Sequence, residues 1–123
     1  MGKILTALLL ATLTGAPVLA APPVNSFAAR VRAMSDMQRR AVLRGALVNS
    51  GQRCGRTDLA VDRGAYRNLV MWSVRCVPGG DYGIFVGPDG SAQVRTCSDL
   101  ATLKMPACSL PPALPPAARP TRR

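Results

Sequence analysis

Four cysteines, Cys54, Cys76, Cys97 and Cys108, constrain what this chain can fold into more than any other feature. Their role depends on the redox compartment, and the N-terminus bears on that. Residues 1–20, MGKILTALLLATLTGAPVLA, read as a secretory leader. Lys3 supplies the positive start, Ile4 to Leu13 an almost unbroken apolar run, and Val18-Leu19-Ala20 a small-residue cleavage site, with cleavage expected after Ala20. Gly15 and Pro17 interrupt the apolar run, and a bilayer span needs about 20 apolar residues. No cysteine directly follows the cleavage site to carry a lipid, and no second run is long and apolar enough to span a bilayer. The mature chain is therefore expected to be periplasmic or secreted, with no transmembrane helix. In an oxidising compartment an even cysteine count reads as disulfides.

Catalytic uses of these cysteines fit poorly. Thiol oxidoreductases place two cysteines a few residues apart beside a helix N-terminus, which lowers one thiol's pKa. Zinc sites pair ligands at similarly short spacing. Here no two cysteines lie close in sequence, and the chain has no His. The acidic residues are all Asp, so acid–base work would fall mainly to them. Asp81 and Asp89 sit in turn-like stretches, Asp58 and Asp62 flank a weak strand, and no two carboxylates are convincingly paired. Gly79-Gly80 and Gly87 to Gly90 precede strands rather than helices, so they read as hairpin turns, not phosphate loops. No catalytic residue, metal ligand or cofactor is expected.

The first regular element is a helix. Ser35 to Gln38 has the form of a capping box, and Asp36 complements the positive end of the helix dipole. The helix should end at Asn49-Ser50-Gly51. Val42, Leu43, Ala46 and Leu47 form one apolar stripe, and Met37, Ala41 and Val48 a second. Gly45 is expected to mark a close approach to a sheet. Leu59 to Asp62 reads as a short strand, with Gly64 in the turn after it. Residues 69–76 alternate: Val70, Trp72, Val74 and Cys76 share one face, Leu69, Met71, Ser73 and Arg75 the other. Pro78-Gly79-Gly80 turns the chain into a strand with Tyr82, Ile84 and Val86 on one face. Gly87-Pro88-Asp89-Gly90 turns it again, into a last strand carrying Ala92, Val94 and Thr96. A helical turn over Asp99 to Met105 follows. The fold class is α+β: one main helix packed on a three- to four-stranded antiparallel meander, stapled by disulfides.

Four cysteines allow three pairings. In a meander Cys76 and Cys97 lie two strand spacings apart, about 9–10 Å, beyond the about 7 Å a disulfide spans. If the 59–62 strand pairs antiparallel with 69–76, Cys54 comes beside Cys76. The expected bridges are Cys54–Cys76 and Cys97–Cys108, the second holding the C-terminal segment against the sheet edge. Each contributes roughly 3 kcal/mol in the chain-entropy account. The organisation is then a leader at 1–20, a linker at 21–34 with a helical turn bringing Phe27 and Val31 to the core, an α+β domain at 35–108, and a Pro-rich disordered tail at 109–123.

The formal charge is +10, carried almost wholly by Arg. A basic surface concentrates anions. Arg39, Arg40, Arg44, Arg53 and Arg56 are the candidate anion-binding residues, the helical ones lying near the stripe edges with their heads in water. Outside the cytoplasm the available anions belong to envelope lipids, glycans and acidic protein faces. Nucleic acid is disfavoured as a partner, with few aromatic residues to stack bases. The expected function is a non-catalytic binding or structural module associating with a protein or an anionic envelope surface.

One resemblance rests on Trp72 and Val74 in the first clear strand, Tyr82, Ile84 and Val86 in the next, the turn at Gly87, Asp89 and Gly90, and Val94 beyond it. That order, after a helix, resembles the small exported PepSY-type α+β domains over about residues 35–97. The resemblance implies a modulator of a secreted peptidase as the alternative function. The four cysteines and the Arg-rich helix depart from the PepSY pattern.

Overall fold

The computed structural model of the chain describes residues 15–17 and 25–115. The expected leader, apart from 15–17, and residues 116–123 of the Pro-rich tail lie outside the described residues.

Helix α1 is Ser26–Ala33. The Asn25 side chain accepts from the Ala28 N–H at 2.9 Å and donates to the Val86 carbonyl at 2.8 Å. One residue thus caps the helix and ties it to the sheet. Ala28 and Val31 are fully buried. The helical turn expected to bring Phe27 and Val31 to the core is thus a full helix, with Val31 buried and Phe27 packed against the core, so Ser26–Ala33 belongs to the packed domain rather than to a linker.

Helix α2, Asp36–Asn49, starts at the expected capping box: Ser35 Oγ accepts from the Gln38 N–H, and Gln38 Oε1 accepts from the Ser35 N–H. It ends where Gln52 N–H reaches Leu47 O at 2.9 Å and Gly51 N–H reaches Val48 O at 3.0 Å, satisfying two terminal carbonyls. Leu43 and Leu47 are buried and Val42 and Ala46 half-buried. The second expected stripe faces water, with Met37 81% exposed, because the helix rests on one sheet face and has no layer behind it. Gly45 does not mark a close approach: a Cβ there would meet nothing within 4 Å.

Four antiparallel strands follow in spatial order: β1 Arg56–Tyr66, β2 Leu69–Val77, β3 Gly80–Val86 and β4 Ala92–Thr96. β1 is much longer than the expected Leu59 to Asp62. Its pairing with β2 shifts register at Thr57/Leu59 and at Asp62/Gly64, so its alternation is broken twice. Gly64 belongs to the second irregularity, and the turn lies at Arg67-Asn68, with Arg67 at φ 57°.

Both sheet faces are covered. Val70, Trp72, Val74, Cys76, Tyr82, Ile84 and Val86 pack under α1 and α2. Met71 and Phe85 face the other way, against Leu100 of helix α3, Cys97–Thr102, and against Cys108. α3 begins directly after β4, earlier than the expected turn. The C-terminal segment lies across this second face rather than at the sheet edge. Ser73, fully buried there, donates to the Cys108 carbonyl at 2.8 Å. Gly83 makes room for α3: a Cβ there would stand 3.2 Å from Leu100 Cδ1. The disulfides are Cys54–Cys76 and Cys97–Cys108, with Cα atoms 5.1 and 5.7 Å apart.

Gly45 and Gly79 give opposite expectations. Gly45→Ala should stabilise the protein by about 1 kcal/mol in urea unfolding, through helix propensity alone. Gly79→Ala should destabilise it, since a Cβ would overlap the Arg53 carbonyl oxygen at a φ of 151°.

Candidate functional site

The arginines of α2 are the natural place to begin. Arg39 donates to three carbonyls at the end of α1: Val31 at 3.3 Å, Arg32 at 3.0 Å and Met34 at 2.9 Å. Its guanidinium also lies 5.5 Å from the centre of the Trp72 ring. Arg40 donates to the Asp58 carbonyl at 2.6 Å and the Thr57 carbonyl at 3.4 Å. Its Nε is 2.8 Å from an Asp36 carboxylate oxygen but outside hydrogen-bond geometry, an ion pair one helical turn apart. Arg44 donates to the Cys54 carbonyl at 3.1 Å and the Gly55 carbonyl at 2.9 Å. Three of the five candidate anion ligands thus bond backbone carbonyls, with Arg39 and Arg40 half-buried and Arg44 still exposed. They bond carbonyls at the end of α1, in the segment joining α2 to β1 and at the start of β1.

Arg53 and Arg56 are exposed at the same corner. Arg56 Nε lies 3.6 Å from Asp58, with both side chains largely in solvent, a pair of little energetic weight. The Arg53 carbonyl, rather than its guanidinium, serves the fold: the Tyr82 hydroxyl points to it at 3.3 Å. The other large polar tip, Trp72 Nε1, has no hydrogen-bond partner among the described residues.

Two further ion pairs lock strands. Arg75 and Asp81 face each other across β2 and β3, with two contacts of 2.8 Å. Arg32 of α1 forks onto Asp62 of β1 through Nε and Nη2. The hydrogen bond from Arg32 holds the Asp62 carboxyl below the usual carboxylate range; partial burial opposes this, and the Gly64 N–H reinforces it.

Six cations, Arg30, Arg53, Arg63, Arg67, Arg95 and Lys104, are exposed and make no ion pair or side-chain hydrogen bond among the described residues. Arg67 and Arg95 share one depression of about 740 Å³ on the α3 face of the sheet, floored by Tyr66, Leu69 and Met105. Lys104 lies between two of its lining residues, Leu103 and Met105. Asp89 also lines it, but its Oδ1 accepts from the Ser91 N–H and hydroxyl. These cations escape sequence reasoning because one sits in a hairpin turn and one on the last strand. Only the sheet brings them together.

No cluster of metal-ligating side chains occurs among the described residues, and none of their helices is long and apolar enough to cross a membrane. Compared with protein families, curated proteins and solved structures, the chain matches none. Two disulfides in so small a domain fit a protein that works outside the cytoplasm.

Two outcomes test these roles. Arg39→Ala should cost about 2 kcal/mol in urea unfolding, from its charged hydrogen bonds, whereas Arg53→Ala should stay within about 0.5 kcal/mol. Because the Asp62 pKa is lowered by folding, its contribution is present at neutral pH and lost as pH falls through the lowered value. Asp62→Asn should therefore destabilise at pH 7 and progressively less as pH falls below the usual carboxylate range, read from urea midpoints over that series.

Proposed function

We propose that this chain is a non-catalytic binding module, exported on the leader at residues 1–20, that associates with an anionic envelope surface. The observation that carries this reading is the cation surplus left after internal pairing. Four of the six carboxylates, Asp36, Asp58, Asp62 and Asp81, lie beside arginines. The six exposed cations named above have no such neighbour. Each basic side chain near an anionic lipid surface contributes about 1 kcal/mol. Such attraction weakens as the screening length falls from about 8 Å at physiological salt to about 3 Å at 1 M.

A second reading, modulation of a secreted peptidase, is supported by the outer edge of β4, which no strand pairs among the described residues. Inhibition assays against secreted peptidases test it.

The oxidised mature protein should sediment with phosphatidylglycerol-containing vesicles at low salt, not with phosphatidylcholine vesicles, and should be released in 1 M salt. Equal binding to both vesicle types, or binding indifferent to salt, would falsify the surface reading.

A further inference from the structure

The two edges of the sheet are finished differently. β1, at one edge, carries two register irregularities, and Arg40 occupies the Thr57 and Asp58 carbonyls. Such irregularities and charges discourage a further strand. β4, at the other edge, pairs with β3 through all five of its residues without a register shift. It contains no proline, and its outer side has no partner among the described residues.

What flanks β4 differs on its two faces. On the helix face, Ala92 and Val94 are only half-buried. Beside Ala92 an open groove of about 420 Å³ runs between α1, α2 and the sheet, lined by Phe27, Val31, Val42, Ala46 and Ala92. Gly45 lies on its wall with no atom within 4 Å of where a Cβ would stand. On the opposite face Gln93 and Arg95 are exposed, and Arg95 shares its depression with Arg67.

We propose that the outer edge of β4 takes up an extended segment of a partner protein in which apolar residues alternate with acidic ones. A strand added to this edge hydrogen-bonds through its main chain, while its side chains alternate between the two faces. One set lies over the half-buried Val94 and enters the groove beside Ala92, whose wall is mostly apolar, with Asn49 and Ser50 at the end of α2. The other meets Arg95, which favours carboxylates although Asp89 lines the same depression and Asp99 the adjoining one. A second copy of this chain is a poor occupant: its β4 brings another Arg95, so self-pairing gathers like charges on one face. The proposal shares Arg95 with the surface reading but adds main-chain hydrogen bonds and the groove at one edge, which Gly45→Leu and peptide N-methylation test separately from total charge.

The test uses the oxidised mature protein, isotope-labelled, titrated with acetyl-Glu-Val-Glu-Val-Glu-Val-Glu-amide and with the matched Lys-Val peptide. The expected result is saturable amide shifts centred on residues 92–96 with the Glu peptide, and none with the Lys peptide. Gly45→Leu fills the groove from α2, and its unliganded spectrum shows directly that it is folded. It should weaken the Glu peptide by about tenfold or more, since hot-spot contacts dominate small interfaces, and leave vesicle binding unchanged. Arg95→Glu should weaken the peptide similarly. Methylating alternate peptide nitrogens on the edge-facing side should abolish binding. Shifts centred elsewhere, equal binding of the Lys peptide, indifference to Gly45→Leu, or a β4-paired dimer without peptide would each overturn the proposal.

Discussion

The corner where α2 hands the chain to β1 holds the domain together. The Cys54–Cys76 bridge ties this corner to the end of β2. Arg44 spans from α2 to the Cys54 and Gly55 carbonyls, and the Gly55 N–H donates to the Pro78 carbonyl at 2.9 Å. The Tyr82 hydroxyl reaches the Arg53 carbonyl, and Gly79 passes close to that same oxygen, where a side chain would not fit. Helix, first strand and the β2–β3 turn are thereby fixed to one another within a few residues. A loop this polar is stable near a core only if its carbonyls are satisfied, and the helical arginines supply most of the donors.

This arrangement recasts the charge. A row of arginines on a helix suggests a ligand surface. Here Arg39, Arg40 and Arg44 are directed inward to main-chain oxygens, with Arg39 also covering the Trp72 ring. An arginine suits that task because its planar head presents several donors in fixed directions and stays charged. The unpaired exposed cations lie, apart from Arg30 on α1, on loops, turns and outer strands, and Arg67 and Arg95 share one depression only because β1, β2 and β4 lie in one sheet.

Much of the fold was legible from local chemistry. The Ser35–Gln38 cap, the alternation through Trp72 and Cys76, and the turns at Pro78 and Gly87 follow from short-range patterns. Strand spacing and the expected pairing of the 59–62 strand with 69–76 then identified the disulfide pairs. What escaped lacked such a pattern. Two irregularities hid most of β1, and α1 was legible only as a turn carrying Phe27 and Val31, because its length depends on the Asn25 cap and a small Ala28 rather than a broad apolar stripe. The second core joins Met71 and Phe85, on separate strands, to Leu100 and Cys108, so no periodicity announces it. The roles of the arginines were illegible for a different reason: their acceptors are backbone carbonyls, which every residue possesses.

In the proposed division of labour, the α2 arginines hold the fold while the exposed, unpaired cations meet an anionic surface. A direct test compares Arg39/Arg40/Arg44→Gln with Arg63/Arg67/Arg95→Gln, which lose equal charge, for both urea midpoint and binding to phosphatidylglycerol vesicles. The first variant should lose stability and, when folded, keep most of its binding. The second should keep its midpoint and bind roughly 100-fold more weakly, at about 1 kcal/mol per charge. The reverse pattern, with the α2 variant stable but unable to bind, would contradict this division of labour.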